Sequence, residues 1–395
     1  MEYIEREISD KLTVYVNTFP VVYLTGPRQS GKSTLLKHLF QEYRYVSLEE
    51  KDIREFAVSD PRGFLNGIGT PVIIDEAQYA PDLFSYIQSI VDEEDNTGMF
   101  VLSGSQNFLM MKNISQSLAG RVGILSLLPF SDKEISSAGK LAKETNLWLF
   151  SGHYPRRVVR DIKPVDFYPN YIKTYVERDV RQETGVKNID KFTLFMKLCA
   201  ANVGNPINLS SIGNAINTDS RTISSWINIL EESYITFRLK AYTKKPALRF
   251  SKIPKLYFYD TGLLCSLLGF KTPEVLALHD KRGQIFENAI IAEYYKKACN
   301  MGGFPADNTY YWRDSSKREK EIDFIIDNTD GLDLFEIKSS QTAKGKYADN
   351  LLLFEKNAGE SHCKKTVIYD GPNNITMNDT YFKNRHEIWD NYKFL

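Results

Sequence analysis

One run, VVYLTGPRQSGKSTLLKHLF at residues 21–40, constrains the fold of this 395-residue chain more than any other. An apolar stretch, a glycine-bearing loop and a second apolar-periodic stretch predict strand, tight turn and helix in that order. The loop fits G-x-x-x-x-G-K-[ST] through Gly26, Gly31, Lys32 and Ser33. Glycines let the backbone N–H groups of Pro27–Thr34 (Arg28, Gln29 and Ser30 between, Pro27 lacking the donor) close around phosphate oxygens. The helix that follows aims its positive dipole end at the same place. Lys32 is placed to bridge β- and γ-phosphates, and the Ser33 hydroxyl to ligate Mg²⁺. ATP with Mg²⁺ is the cofactor pair these residues call for.

A second apolar run ends in acid, TPVIIDEAQYAP at residues 70–81. Val72, Ile73 and Ile74 predict a buried strand with Asp75 and Glu76 at its carboxyl end, where open α/β sheets bind ligands. Asp75 is a candidate to hold Mg²⁺ and Glu76 to orient and deprotonate the attacking water. YRYVSL lies between the two motifs and GMFVLSGSQ after them, both as strands. An extra strand between loop and acids marks the branch of such proteins that carries a catalytic Glu. The last strand brings Ser103, Ser105 and Gln106 to its tip as candidate γ-phosphate sensors. Arg121 is a candidate to stabilise γ-phosphate charge, within its own chain or across to a neighbour in a homo-oligomer; Arg156 and Arg178 are rivals for that role.

Whole-chain charge names no partner, because 50 basic and 50 acidic residues cancel. A nucleic-acid surface must then be a local patch. Cys199, Cys265, Cys299 and Cys363 lie far apart, which argues for a reducing compartment and against a zinc knuckle. The charged start, MEYIEREISDKLTVYV, is unlike a secretory signal. KLYFYDTGLLCSLLGF is broken by Asp260, so no membrane span is expected. The expected location is cytoplasmic.

Residues 131–185 read as helical, with Tyr168, Tyr171, Ile172, Tyr175 and Val176 at helical spacing. A tyrosine stripe of that kind is core material. Three short helices follow from Phe192, the second capped by Asn208 or Ser210 and the third buried through Ile223, Trp226, Ile227 and Leu230. β-type alternation comes next, as in a winged helix. From Ser233 to Tyr259 there are seven basic residues (Arg238, Lys240, Lys244, Lys245, Arg249, Lys252, Lys255) and no acids. Such a stretch can neutralise phosphates, with DNA the expected partner, or can be a solvated or protein-packing hairpin.

IDFIIDNTDGLDLFEIKSS, residues 322–340, predicts a β-hairpin turning at Asp330-Gly331. That turn pairs Asp323 with Lys338 and Ile325 with Glu336. Asp323, Glu336 and Lys338 then share one face, and Ile322, Phe324, Ile326, Phe335 and Ile337 the other. Two carboxylates and an ammonium on one face can hold Mg²⁺ beside a scissile phosphate, or can be a solvated face with cross-strand ion pairs. Glu287, in the predicted helix GQIFENAIIAEYYKKA, is a third candidate ligand, since an acid beside an apolar stripe needs a partner.

GPRQSGKSTLL, VIIDEAQYAPDLFSYIQ, LSGSQNFLMMKNISQSLAGRV, SGHYPRR, YVERDV and FEIKSS together resemble prokaryotic AAA-type P-loop ATPases with an uncharacterised, nuclease-like C-terminal region. The resemblance runs from near residue 20 to near 340. It implies a multidomain α/β protein: a P-loop three-layer sandwich over 1–130, a helical lid over 131–190, a winged helix over 191–265 and a restriction-endonuclease-like domain over 280–395. It also implies a D…E-x-K metal site at Asp323, Glu336 and Lys338, joined by Glu287. The alternative is an ATP-driven switch whose last domain binds without cutting.

Overall fold

Five apolar strands, β1 (Val21–Thr25), β2 (Arg44–Ser47), β3 (Val72–Asp75), β4 (Phe100–Gly104) and β5 (Val122–Ser126), build the first sheet of the computed structural model. It describes residues 3–105, 117–176, 180, 181, 186, 188–244, 252–314, 320–358, 363–386, 389, 392 and 394. All five strands are parallel, in the order β2-β3-β4-β1-β5. The two faces of β1 feed different layers. Val22 and Leu24 meet Leu35 and Leu36 of the helix Lys32–Leu39, while Val21 and Tyr23 meet Phe64, Phe84 and Ile87 on the other side. A parallel sheet covered on both faces buries continuous runs, as the three central strands β3, β4 and β1 are buried throughout, while the edge strands β2 and β5 are only partly buried. The strand that separates β1 from β3 in space is β4, which follows them in sequence; YRYVSL forms β2 at the edge instead.

The stretch expected to form a helical lid contains the helices Asp132–Ser137, Thr145–Ser151, Pro155–Val159 and Pro164–Tyr175. Tyr168, Tyr171 and Tyr175 are buried in the central core, so the stripe is structural. Three helices follow, Ile189–Ala201, Leu209–Ala215 and Ser220–Glu232. Asn208, not Ser210, caps the second by accepting from Ser211 N at 2.9 Å. Trp226 packs edge-on against Phe192 and Phe195 and ties the third helix to the first. Asp260 caps the helix Thr261–Leu267 and also accepts from His153 N at 2.6 Å, which explains an acid inside an apolar stretch.

β6 (Thr236–Ala241) and β7 (Lys255–Phe258) pair antiparallel, as a wing would. The far end of β6 then joins β8 (Thr309–Arg313) in parallel through Lys240 and Ala241. With β9 (Glu321–Asn328), β10 (Gly331–Lys338), β11 (Cys363–Tyr369), β12 (Ile375–Met377) and β13 (Thr380–Asn384), one sheet runs β12-β13-β11-β10-β9-β8-β6-β7. The hairpin is therefore the margin of the C-terminal sheet and not a free arm. The helix Arg282–Asn300 lies across this sheet and is buried from Ile285 onward on nearly every face.

The β9–β10 hairpin turns two residues earlier in its pairing than the Asp330-Gly331 centre required. Gly331 pairs with Asn328 and Phe335 with Phe324, so Thr329 and Asp330 form the turn. Extending that register places Asp323 opposite Glu336, in place of the expected Asp323–Lys338 pair. A shift of two preserves which face each side chain takes, whereas a shift of one would have reversed it. Asp323, Glu336 and Lys338 stay together. Their face is not a solvated one, because Asp323 is 7% exposed and Glu336 5%.

Candidate functional site

The C-terminal edge of the first sheet collects the residues expected to meet phosphate. Gly26 has φ 145°, and a Cβ there would stand 2.1 Å from the Leu127 carbonyl oxygen, so only glycine lets the loop pass beneath β5's end. Gly31 starts the helix Lys32–Leu39 in a left-handed conformation. Lys32 is buried and donates to the carbonyls of Gly26 at 2.9 Å and Pro27 at 3.0 Å. Phosphate oxygens would offer its ammonium stronger acceptors. A cleft of about 420 Å³ borders Arg28, Gln29, Gly31, Lys32, Ser33 and Thr34 on one side and Glu76, Tyr171 and Tyr175 on the other.

Asp75 is the most heavily bonded side chain of this edge. It accepts from Ser33 Oγ at 2.6 Å, from Tyr45 OH at 2.5 Å, from Ser103 Oγ and from Glu76 N at 3.2 Å. Burial and the neighbouring carboxylate push the Tyr45 hydroxyl above the ordinary tyrosine range, so it remains the donor. Ser33 and Asp75 could thus hold one Mg²⁺ between them. Ser103 braces Asp75 from the end of β4. Glu76 adopts φ 55°, a left-handed conformation that costs a residue with a Cβ of order 1 kcal/mol. Its Oε2 accepts from Gln78 Nε2 and from Ser105 Oγ at 3.2 Å. Gln106 lies outside the described residues.

Arg121 is at the wrong end of the sheet to reach a phosphate in its own chain. It precedes β5, and Val21, the first residue of β1, donates to its carbonyl at 3.3 Å. The loop departs from the other end of β1, about 17 Å away at the rise of a strand. Its guanidinium forks onto Asp92 at 2.5 and 2.9 Å. Arg156, in contrast, lines a cleft of about 670 Å³ beside Gln29, Gly31 and Thr34, with Tyr3, Ile4 and Phe130 as an apolar wall. That wall suits a base. Arg178 lies outside the described residues.

Sequence reasoning missed Arg6, which clasps this end together. Its Nη1 donates to the Ser30 carbonyl at 2.7 Å, Nη2 to the Leu128 carbonyl at 2.7 Å and Nε to Glu134 at 2.9 Å. Nothing local in MEYIEREI marks it, since its partners lie up to 128 residues away. Arg6→Ala should lower stability by about 3 kcal/mol, the scale for orphaning a buried ionic partner, and weaken ATP binding. Denaturant unfolding and nucleotide titration would check both.

In the C-terminal sheet, Lys338 Nζ lies 2.6 Å from Glu336 Oε1 and 3.4 Å from Asp323 Oδ2. Asp323 Oδ2 also accepts from Ile337 N at 2.8 Å. Glu336 Oε2 is buried with no hydrogen-bond partner among the described residues. An unsatisfied carboxylate oxygen facing a second carboxylate fits a divalent cation. Burial, then Asp323, raises Glu336 to about 8. Burial opposes the Lys338 ammonium, but Asp323 and Glu336 outweigh it and hold its pKa above the ordinary value.

Glu287 does not join this pair. Among the described residues, Glu287, Asp323 and Glu336 do not form a set of ligand atoms within 4.8 Å of one another. Glu287 accepts instead from Tyr257 OH at 2.5 Å and lies 3.5 Å from Lys255 Nζ. Lys255, one of the seven basic residues expected to be available to phosphate, is 1% exposed. Arg238 is ion-paired with Glu231. Lys244 and Lys252 are exposed, whereas Lys245 and Arg249 lie outside the described residues.

Asp132, His153 and Glu293 do bring ligand atoms within 4.8 Å, with Glu293 Oε2 buried, without a hydrogen bond, and 3.5 Å from Lys296 Nζ. Lys296 Nζ stands 2.7 Å from His153 Nδ1, Trp148 Nε1 donates to Asp132 at 2.8 Å, and Asp132 N donates to Glu293 at 2.7 Å. This network joins the helices Asp132–Ser137 and Thr145–Ser151 to the helix Arg282–Asn300. Burial, then Asp132, raises Glu293 from 4.5 to about 8. The folded state therefore keeps a proton that the unfolded state has lost, and stability falls as pH rises from 4.5 through 8. His153, lowered by burial and Lys296, acts in the opposite sense, but only below its ordinary 6.5. Between pH 6.5 and 8 the melting temperature should fall, and Glu293→Gln should make that fall shallower by about 1–2 kcal/mol. Thermal melts across the window would check it.

Residues 18–136 match the family described as AAA domain. Residues 142–274 and 282–387 match two families each described as a domain of unknown function (DUF8612 and DUF4143). An uncharacterized protein of Mycobacterium tuberculosis is 26% identical over 380 residues, covering 95% of this chain and 82% of the relative. One from Haemophilus influenzae is 23% identical over 389 residues, covering 90% of each. Among solved structures, the Walker-type ATPase of Pyrococcus abyssi is similar at 16% identity and TM-score 0.47, over 67% of this chain and 96% of that one. AMPPCP-bound DnaA from Aquifex aeolicus is similar at 16% identity and TM-score 0.30, over 57% and 86%. No helix of the described residues is long and apolar enough to cross a membrane. Loop, acidic strand end and family match agree: residues 18–136 combine a P-loop and an acidic strand end and match the family described as AAA domain.

Proposed function

We propose that the chain uses Mg²⁺-dependent ATP binding and hydrolysis to control a metal-dependent nuclease site that acts on DNA. The observation that carries the nuclease half is the buried, unpartnered Glu336 Oε2 opposite Asp323, with Lys338 between them. Asp323 and Glu336 would hold the ion, which supplies a polarised phosphate and a more acidic water. Lys338 would then orient that water and take up charge developing on the phosphate. DNA would approach over the exposed Lys244 and Lys252 at the open end of the β6–β7 hairpin, beside the three-helix unit. On the ATPase side, Lys32 would hold the phosphates, Ser33 and Asp75 the Mg²⁺, and Glu76 the attacking water. An Arg121 finger would act only across a homo-oligomer.

A second reading, an ATP-driven switch whose last region binds without cutting, draws on the depth of the site. Both carboxylates are buried, and each is tied to Lys338. Labelled DNA incubated with Mg²⁺, with and without ATP, separates the two. Cleavage that Lys338→Ala removes and Lys32→Ala alters supports coupled sites. No cleavage alongside intact ATP hydrolysis supports the switch.

A further inference from the structure

We propose that the Lys255 ammonium stands in for a second divalent cation, so that the C-terminal site takes one metal ion and not two. The inference rests on the metal-site reading of Asp323 and Glu336. Lys255 and Tyr257 alternate onto the same face of β7, and both reach Glu287 on the helix Arg282–Asn300. Lys255 Nζ also pairs with Glu321 of β9, whose other oxygen lies 2.6 Å from Arg313. The cluster thus holds two ammonium groups, each between two carboxylates: Lys338 between Asp323 and Glu336, Lys255 between Glu287 and Glu321.

The two halves differ in whether the ammonium can leave. The Lys338 side chain is 33% exposed and contacts Glu336 Oε1, while Glu336 Oε2 has no hydrogen-bond partner, so the ammonium can swing aside toward solvent as an ion enters and still reach the ion's water. The Lys255 side chain is 1% exposed. Its ammonium lies 5.2 Å from the Tyr311 ring centroid, and its backbone bridges to Pro206. A buried ammonium with two carboxylate partners has no route to water that does not leave all three groups desolvated and unpaired. Fixed there, it neutralises Glu287 and Glu321 and denies them to a metal. Glu287 then acts as a positioning residue, holding β7 against the site. Lys255 precedes the stretch 282–387 that matches its own family, so the site spans two family regions.

Mn²⁺ binding followed by electron paramagnetic resonance, on nucleotide-free full-length protein carrying Ser33→Ala to silence the ATP site, reads the count directly. The parent should bind one Mn²⁺ that Asp323→Asn removes. Lys255→Ala should bind two, and adding Glu321→Gln should return the count to one. Lys255→Gln keeps a donor toward both carboxylates and serves where the alanine variant does not fold; folding of either variant only with Mn²⁺ present also supports the proposal. A count of one in both Lys255 variants overturns it with the metal site intact. A parent that binds no Mn²⁺ sensitive to Asp323→Asn overturns the metal-site reading and the proposal together.

Discussion

Glu76→Gln should still bind ATP while hydrolysis falls by roughly 10²–10⁴-fold, the range for losing a positioned general base. Gln is nearly isosteric, and its amide oxygen can keep accepting from Gln78 and Ser105 as the carboxylate does. The left-handed backbone at residue 76 asks as much of Gln as of Glu, so folding should be unchanged. What the variant loses is the ability to accept a proton from water. Lys32→Ala should fail earlier. Its ammonium is the buried positive charge of the loop, held over the Gly26 and Pro27 carbonyls, and without it nucleotide affinity itself should drop. Binding of a fluorescent ATP analogue and phosphate release, measured side by side, distinguish the two variants. Hydrolysis by Glu76→Gln within about threefold of the parent, far short of a general base's contribution, would remove Glu76 from the mechanism.

Lys338→Ala should abolish Mg²⁺-dependent DNA cleavage and also destabilise the metal-free protein. Removing the ammonium leaves Asp323 and Glu336 facing each other in a buried site, with only the Ile337 N–H on Asp323. Breaking a fully buried ion pair costs about 3–5 kcal/mol; with Lys338 one-third exposed, about 2 kcal/mol is the fair expectation. Mg²⁺ should recover much of that loss, since it replaces the missing charge. Asp323→Asn should behave differently: cleavage lost, little recovery by Mg²⁺. Melting curves with and without Mg²⁺, beside a cleavage assay, test both. Undiminished cleavage in Lys338→Ala would sink the nuclease reading even if the stability effects appeared.

Local motifs were legible because their chemistry is written in consecutive residues. Gly26 to Ser33, and Asp75 with Glu76, needed only strand direction to meet at one sheet edge. The face shared by Asp323, Glu336 and Lys338 was also legible, because alternation survives an error of two in register. Arg121 could have been placed by the same logic: it precedes its strand while the loop follows its own, so a parallel sheet sets them at opposite ends. Lys255 could not. A basic residue in a basic, alternating run reads as surface until Glu287 and Glu321 are brought to it from 32 and 66 residues away. Arg6 was hidden for the same reason, with all its acceptors distant in sequence.

The eight-stranded sheet has a consequence for how such chains can be inherited. The boundary between the two regions of unknown function falls between residues 274 and 282, after β7 and before β8. Yet β6 and β8 are hydrogen-bonded neighbours. A gene fusion or loss at that boundary would strip β8 of its partner on one side and leave a raw strand edge there, the template on which chains pair with strangers. The two regions look like separate cassettes on the linear map, but the backbone hydrogen bonds between them oblige a lineage to keep or discard them as one.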